Sequence, residues 1–190
     1  GFDAIEITVL PDYSTALKDL DADERRGIAK SLRFHGLTLS ALMVYLPLAT
    51  DDVDAYSRHA TYLNDAIDLA VDWAQGASPP PVLAGVGGKP GELHSIMPRL
   101  VERLEQLGER AQAAGVTIAL EHHIGTAVET PDDVMRLMAQ IESPAIRINF
   151  DISHFNVLAI PMEESVAQML PYSVHTHIKD ERGHAPDFEY

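Results

Sequence analysis

Three stretches of this chain close an apolar, strand-like run with groups that bind metals or move protons: Ile118-Ala119-Leu120-Glu121, Ile148-Asn149-Phe150-Asp151 and Val174-His175-Thr176-His177. Ionisable side chains at the end of a buried strand are costly unless paired or metal-bound. In parallel α/β proteins the C-terminal edge of the sheet is also where ligands and chemistry collect. Glu121, Asp151 and His177 together offer two carboxylates and an imidazole, a set suited to one divalent ion, Mn²⁺ first, with Co²⁺, Mg²⁺ and Zn²⁺ as alternatives. Such an ion polarises a carbonyl and an adjacent hydroxyl, so that a neighbouring C–H becomes acidic. Glu121 could then move that proton as a general base. Taken singly, each residue has a plainer reading: a surface ion pair for Glu121, the cap of a turn for Asp151, an interior histidine with its hydrogen bonds met. Recurrence at three strand ends is what points to a metal-dependent enzyme.

Neighbouring residues extend the pattern. Asp151-Ile152-Ser153-His154 places an imidazole three residues after a strand-terminal carboxylate, where the turning chain lets both converge. His175 and His177 share a strand face, and alternation puts Glu121 and His123 inward with His122 toward the helices. Tyr45, Glu6, His123 and Lys179 face the pocket by the same parity, although a one-residue slip in register would turn each outward. His154 and His175 are expected to orient ligands or to hydrogen-bond substrate hydroxyls.

These side chains need a parallel sheet to position them. Strands are expected at Asp3–Val9, Thr38–Leu46, Pro81–Val86, Val116–Glu121, Ile146–Asp151 and Val174–Lys179, alternating with helical patterns. Asp21 with Glu24 reads as a capping box opening a helix that Gly36 stops. Further helices are expected over Asp52–Trp73, Ile96–Ala114, from Thr130-Pro131 onward, and over Met162–Met169. An open doubly wound sheet and a (β/α)8 barrel both fit the alternation. Polar residues alternate with apolar ones in Arg147-Ile148-Asn149-Phe150-Asp151 and around His175, His177 and Lys179, which suits a polar barrel interior better than strands buried between two helix layers. The glycine-rich Gly85–Gly91 segment lacks the Gly-Lys-Ser/Thr ending of a P-loop. It reads as an active-site loop, with anion cradling by its N–H groups as the alternative.

The composition is that of a globular domain of 190 residues, 46% hydrophobic and 23% charged. A net charge of −15 argues against a nucleic-acid surface. With no cysteine, thiolate metal sites and disulfides are excluded, which fits a reducing, cytoplasmic setting. No run of about 18 or more apolar residues suggests a membrane span.

The motifs, taken in order, resemble the xylose isomerase-like TIM-barrel superfamily, in its sugar phosphate isomerase/epimerase branch with ketose 3-epimerases and inosose dehydratases. Gly1-Phe2-Asp3-Ala4-Ile5-Glu6 resembles that family's second strand, Ala119-Leu120-Glu121-His122-His123 its fifth, Asp151-Ile152-Ser153-His154 its sixth and His175-Thr176-His177-Ile178-Lys179-Asp180 its seventh. The resemblance implies one (β/α)8 TIM barrel domain over residues 1–190, present as six to seven strands, with the first unit and the last strand, bearing a fourth ligand, outside the chain. It implies Glu121, Asp151 and His177 as metal ligands, Glu121 as acid/base, and His154 and Arg182 as substrate contacts, joined by His123 and Lys179 from strand parity. The activity implied is a divalent-metal-dependent sugar or sugar phosphate isomerase or epimerase working through a metal-stabilised enediolate. A lyase or dehydratase on an oxidised sugar or cyclitol begins with the same proton abstraction. An abasic-site endonuclease-like phosphodiesterase is disfavoured by the acidity, and a non-catalytic barrel by the retained ligands. The partner expected is a small carbohydrate, with no nucleic acid or membrane and with a homo-oligomer allowed.

Overall fold

The computed structural model describes residues 1–74 and 77–189. Strands β1 (Ala4–Thr8), β2 (Thr38–Pro47), β3 (Val82–Gly85), β4 (Ile118–Glu121), β5 (Ile146–Asp151) and β6 (Ser173–His177) pair in parallel, in chain order. Between them run α1 (Ala22–His35), α2 (Val53–Ala74), α3 (Leu93–Ala114), α4 (Pro131–Met138), α5 (Ile152–Val157) and α6 (Met162–Met169). A doubly wound sheet reverses its strand order at a switch point; this order never reverses. The sheet also curls, because Glu6 on β1 accepts hydrogen bonds from His175 and His177 on β6, at the opposite end of the ladder. The architecture is therefore of the (β/α)8 TIM-barrel type.

Strand parity divides the apolar residues into two layers. Leu42, Val82, Ile118 and Ile148 face outward into the main core, against Leu63 and Ile67 of α2 and Leu100 and Leu104 of α3. Ala41, Leu83 and Ala119 point inward and form a separate small cluster. One step further along β4 and β5 the inward positions become Glu121, Asn149 and Asp151, all buried. The inner face of the curled sheet thus carries apolar side chains on one level and ionisable ones at its C-terminal end.

Local signals set the helix boundaries. Asp21 accepts from the Asp23 and Glu24 N–H groups in a reciprocal capping box, and Gly36 ends α1 with φ 65°. Thr130 and Asp133 form a second capping box, with Pro131 in the first turn. α3 starts at Leu93, earlier than Ile96, and β6 ends at His177, so Lys179 lies beyond the strand. The sequence reading did not anticipate the short α5, or the antiparallel hairpin of β7 (Arg182–His184) and β8 (Asp187–Glu189).

The glycine-rich loop after β3 is a packing device. A Cβ on Gly87, at φ 78°, would lie 2.6 Å from the Pro47 Cβ, and one on Gly88 would lie 2.8 Å from the Ala127 Cβ. The Ala127 N–H also donates to the Gly87 carbonyl at 3.0 Å, so the loops after β2, β3 and β4 close against one another. The Lys89 N–H is taken by the Glu92 carboxylate at 3.0 Å, an arrangement that gives anion cradling no support. Among the described residues no helix is long and apolar enough to cross a membrane.

Candidate metal centre

The buried carboxylates of Glu121 and Asp151 are delivered by neighbouring strands, at 3% and 1% exposure. Asp151 serves two structures at once. Its Oδ1 accepts from the Ser153 N–H at 3.0 Å and hydroxyl at 2.5 Å, capping α5. Its Oδ2 lies 2.9 Å from Lys179 Nζ and 3.4 Å from His154 Nε2. That nitrogen of His154, which is fully buried on the first turn of α5, is also 3.6 Å from Glu121 Oε1. The other Glu121 oxygen accepts from Asn149 Nδ2 at 2.9 Å and stands 3.4 Å from His177 Nδ1.

Two groups of ligand atoms emerge, each with all its atoms within 4.8 Å of one another: Glu121, Asp151 and His154, and Glu6, His175 and His177. His177 links them. Its Nδ1 faces Glu121 and lies 3.1 Å from Asn149 Nδ2, while its Nε2 donates to Glu6 Oε2 at 2.9 Å. His175 Nε2 reaches the same Glu6 oxygen at 3.1 Å. Of the three ligands expected from sequence, Glu121 and Asp151 therefore cluster with His154, and His177 meets them through Glu121.

This packing polarises the titrations. Burial alone would raise the Glu121 carboxyl, but the adjacent His154 and His177 hold it well below the usual carboxylate range. Asp151 is lowered against its own burial by Ser153 and Lys179. Glu6 likewise resists burial and falls to about 2 through His175 and His177. In return Glu121 and Glu6 lift the His177 imidazole to about 10. His122 behaves in the opposite way: buried, stacked 3.9 Å from the Phe155 ring on the helix side, it is depressed to about 3 by desolvation.

His123 and Lys179 both border the cluster. The His123 ring lies 3.8 Å from that of His154 and 5.6 Å from that of Tyr45, and its Nδ1 meets the Ile124 carbonyl. Gly85 makes room for Tyr45, since a Cβ there would come within 3.1 Å of the tyrosine ring. Arg182 was expected on a loop; it lies in β7, exposed and paired in register with Glu189. Among the described residues no hydrogen bond or ion pair joins it to the buried cluster. The hairpin is nonetheless tied to α5, through Ala185 N–H to the Val157 carbonyl and His184 to the Asn156 carbonyl.

Asn149 and Ser153 were not singled out as site residues, yet they hold Glu121, His177 and Asp151 in place. The signal for Asn149 was its parity, two residues before Asp151 on the polar face of β5. The donor set is hard and preorganised, as a divalent cation requires. Asp151 Oδ2 and Asn149 Oδ1 are buried without a hydrogen bond, although Oδ2 has its ion pair with Lys179. A buried carboxylate oxygen already met by a cationic side chain, beside a second buried carboxylate, fits a cation.

The sequence profile described as "Xylose isomerase-like TIM barrel" matches residues 1–189. The chain belongs to that family. An inosose dehydratase of Bacillus thuringiensis (strain Al Hakam) is 27% identical over 173 residues, 84% of this chain and 56% of the relative. The chain thus spans little more than half the length of that curated relative. Among solved structures of this barrel, a D-tagatose 3-epimerase-like protein superposes with a TM-score of 0.81 at 21% identity, covering 97% of this chain and 70% of the other. A xylose isomerase-like TIM barrel protein from Mycobacterium smegmatis, in complex with magnesium, gives 0.73 at 25% identity, covering 95% and 63%.

Proposed function

We propose that this chain carries the metal-binding half of an enzyme that moves a proton beside the carbonyl of a small sugar, as an isomerase or epimerase. The observation that carries this reading is the meeting of the buried Glu121 and Asp151 carboxylates with His154 and His177 at the C-terminal end of the barrel strands. Glu121, Asp151 and His177 would hold a divalent ion, with His154 at the same cluster; Mn²⁺ is the ion we favour, and the magnesium of the M. smegmatis barrel supports the class. When bound, the ion supplies positive charge next to the substrate oxygens on which negative charge develops. The residues of the chain do the rest. Glu121, kept ionised by its histidine neighbours, is the base for the substrate C–H. Asn149 fixes the Glu121 carboxylate by donating to Oε2, which leaves Oε1 on the side of His154. Lys179, at 2.9 Å from Asp151 and 3.4 Å from His154, and His123, whose ring lies tilted against that of His154, offer hydrogen bonds to substrate hydroxyls. Arg182, on the hairpin docked to α5, joins them as a substrate contact at the rim.

A second reading, dehydration of a ketonised cyclitol, is favoured by the inosose dehydratase relative. It uses the same first proton transfer and then expels a β-hydroxyl, to which Lys179, paired with Asp151 at 2.9 Å, would give a proton. Incubating the Mn²⁺-loaded chain in D₂O with ketoses and with inososes, followed by NMR, separates the two. Deuterium at the carbon beside the carbonyl of a ketose, with the skeleton retained, supports isomerisation; loss of water from an inosose supports the dehydratase. Failure to exchange any substrate proton would end both readings.

A further inference from the structure

We propose that Glu6 is a positioning residue for the metal centre: it holds the His177 ring in the tautomer and orientation that leave Nδ1 free for a cation. This rests on the reading of His177 as a ligand given above, and it adds a residue from β1, the strand at the far edge of the ladder. The argument is one of donors and acceptors. A carboxylate only accepts, so Glu6 Oε2, at 2.9 Å, requires a proton on His177 Nε2. On the other side of the ring, Asn149 Nδ2 stands 3.1 Å from Nδ1. Its orientation is set independently, because that same amide donates to Glu121 Oε2 at 2.9 Å; the reversed amide would press its oxygen against a carboxylate. Nδ1 therefore points at Glu121, 3.4 Å away, and a cation bound there would take the place of the ring's second proton while Glu6 keeps the first on Nε2.

The chain Glu6–His177–(cation)–Glu121 then has the form of a carboxylate–histidine–metal relay. In such relays the outer carboxylate fixes the ring and makes it a better donor, and its loss typically costs about 10–100-fold in metal affinity. Glu6 is itself steadied by His175, which shares Oε2 at 3.1 Å, so the carboxylate cannot swing away without losing both bonds. The arrangement explains why two histidines occupy the inward face of β6. One, His177, is directed at the cation, and the other, His175, clamps the carboxylate behind it.

The test measures Mn²⁺ and Zn²⁺ affinity by calorimetry on the 190-residue chain and its Glu6→Ala and Glu6→Gln variants. Wild type should bind one ion, Glu6→Ala should bind one ion about 10–100-fold more weakly, and Glu6→Gln, whose amide oxygen can still accept from Nε2, should fall between. In the zinc-loaded wild type the His177 Nε2–H proton should give a slowly exchanging downfield NMR signal, absent from Glu6→Ala. A general loss of packing would not produce this graded affinity together with the selective loss of one imidazole proton. Unchanged affinity in both variants would overturn the proposal. So would a drop from two bound ions to one, which would make Glu6 a ligand in its own right. Should Glu6→Ala not fold, Glu6→Gln alone decides by the same criteria. Absence of any binding by wild type would instead sink the functional reading on which this one stands.

Discussion

Asp151 shows how much work one side chain can take on at a strand end. With Oδ1 committed to the N-terminus of α5 and Oδ2 to the cluster, its two roles are mechanically coupled: the helix that carries His154 is held by the carboxylate that His154 faces. Ser153→Ala removes the 2.5 Å hydroxyl bond to Oδ1 and leaves a buried carboxylate short of a donor. A hydrogen bond to a charged group is worth about 1.5–3 kcal/mol, so the variant should unfold at lower denaturant by an amount in that range. Its metal affinity should weaken too, by about 10-fold or more, as for other outer-sphere losses. Glu121→Gln should be harsher, abolishing measurable binding in calorimetry while circular dichroism stays native. Lys179→Met separates binding from turnover. It removes the cation already paired with Asp151, so metal binding should persist or tighten, while exchange of the substrate proton falls.

At the scale of elements, the parallel strands could be read from sequence because two signals agreed. Apolar residues at the outward positions of each strand had to meet helices, and polar residues at the inward positions of β5 and β6 had to meet something else. Capping boxes at Asp21 and Thr130 then fixed helix starts to within a residue. What stayed illegible was tertiary. Residues 152–157 carry no helical repeat long enough to show, and α5 exists because Asp151 caps it and Phe155 is buried beneath His122. Likewise, parity places Glu6 and His177 inward, but only the curl of the sheet tells that they touch. Gly108, in the middle of α3, has the same character. Helix propensity alone predicts that Gly108→Ala gains about 1 kcal/mol. A Cβ there would fall 2.7 Å from the Ser143 Cβ and 3.2 Å from Ile146 on β5, however, and overpacking of that kind costs about 1–3 kcal/mol. The expected outcome is a net loss of stability in chemical denaturation, and a gain would show that the α3–β5 contact relaxes freely.

For the whole molecule, His177 and the buried His122 set how stability follows pH, and they pull in opposite directions. His177 is raised from 6.5 to about 10, so its contribution is fully present below pH 6.5 and is lost as pH climbs through about 10. His122 is lowered from 6.5 to about 3; the unfolded chain binds its proton first, and its contribution is present above pH 6.5 and lost as pH falls toward 3. Glu6, lowered from 4.5 to about 2, adds to the acid-side loss below pH 4.5. Chelator-treated protein should therefore melt highest near pH 6.5 and decline on both sides. The net charge of −15 would also weaken the fold at high pH through self-repulsion. Salt distinguishes the two causes, since it screens exposed charges but hardly a half-buried imidazole between two carboxylates. A His177→Gln variant should lose the alkaline decline at any ionic strength. Saturating Mn²⁺ should remove it from the wild type as well, because a cation takes the place of the proton and binds more tightly as pH rises. Melting temperatures of the metal-free wild type that stay level from pH 6.5 to 10 would contradict the paired-carboxylate environment of His177, and with it the electrostatic design of the centre.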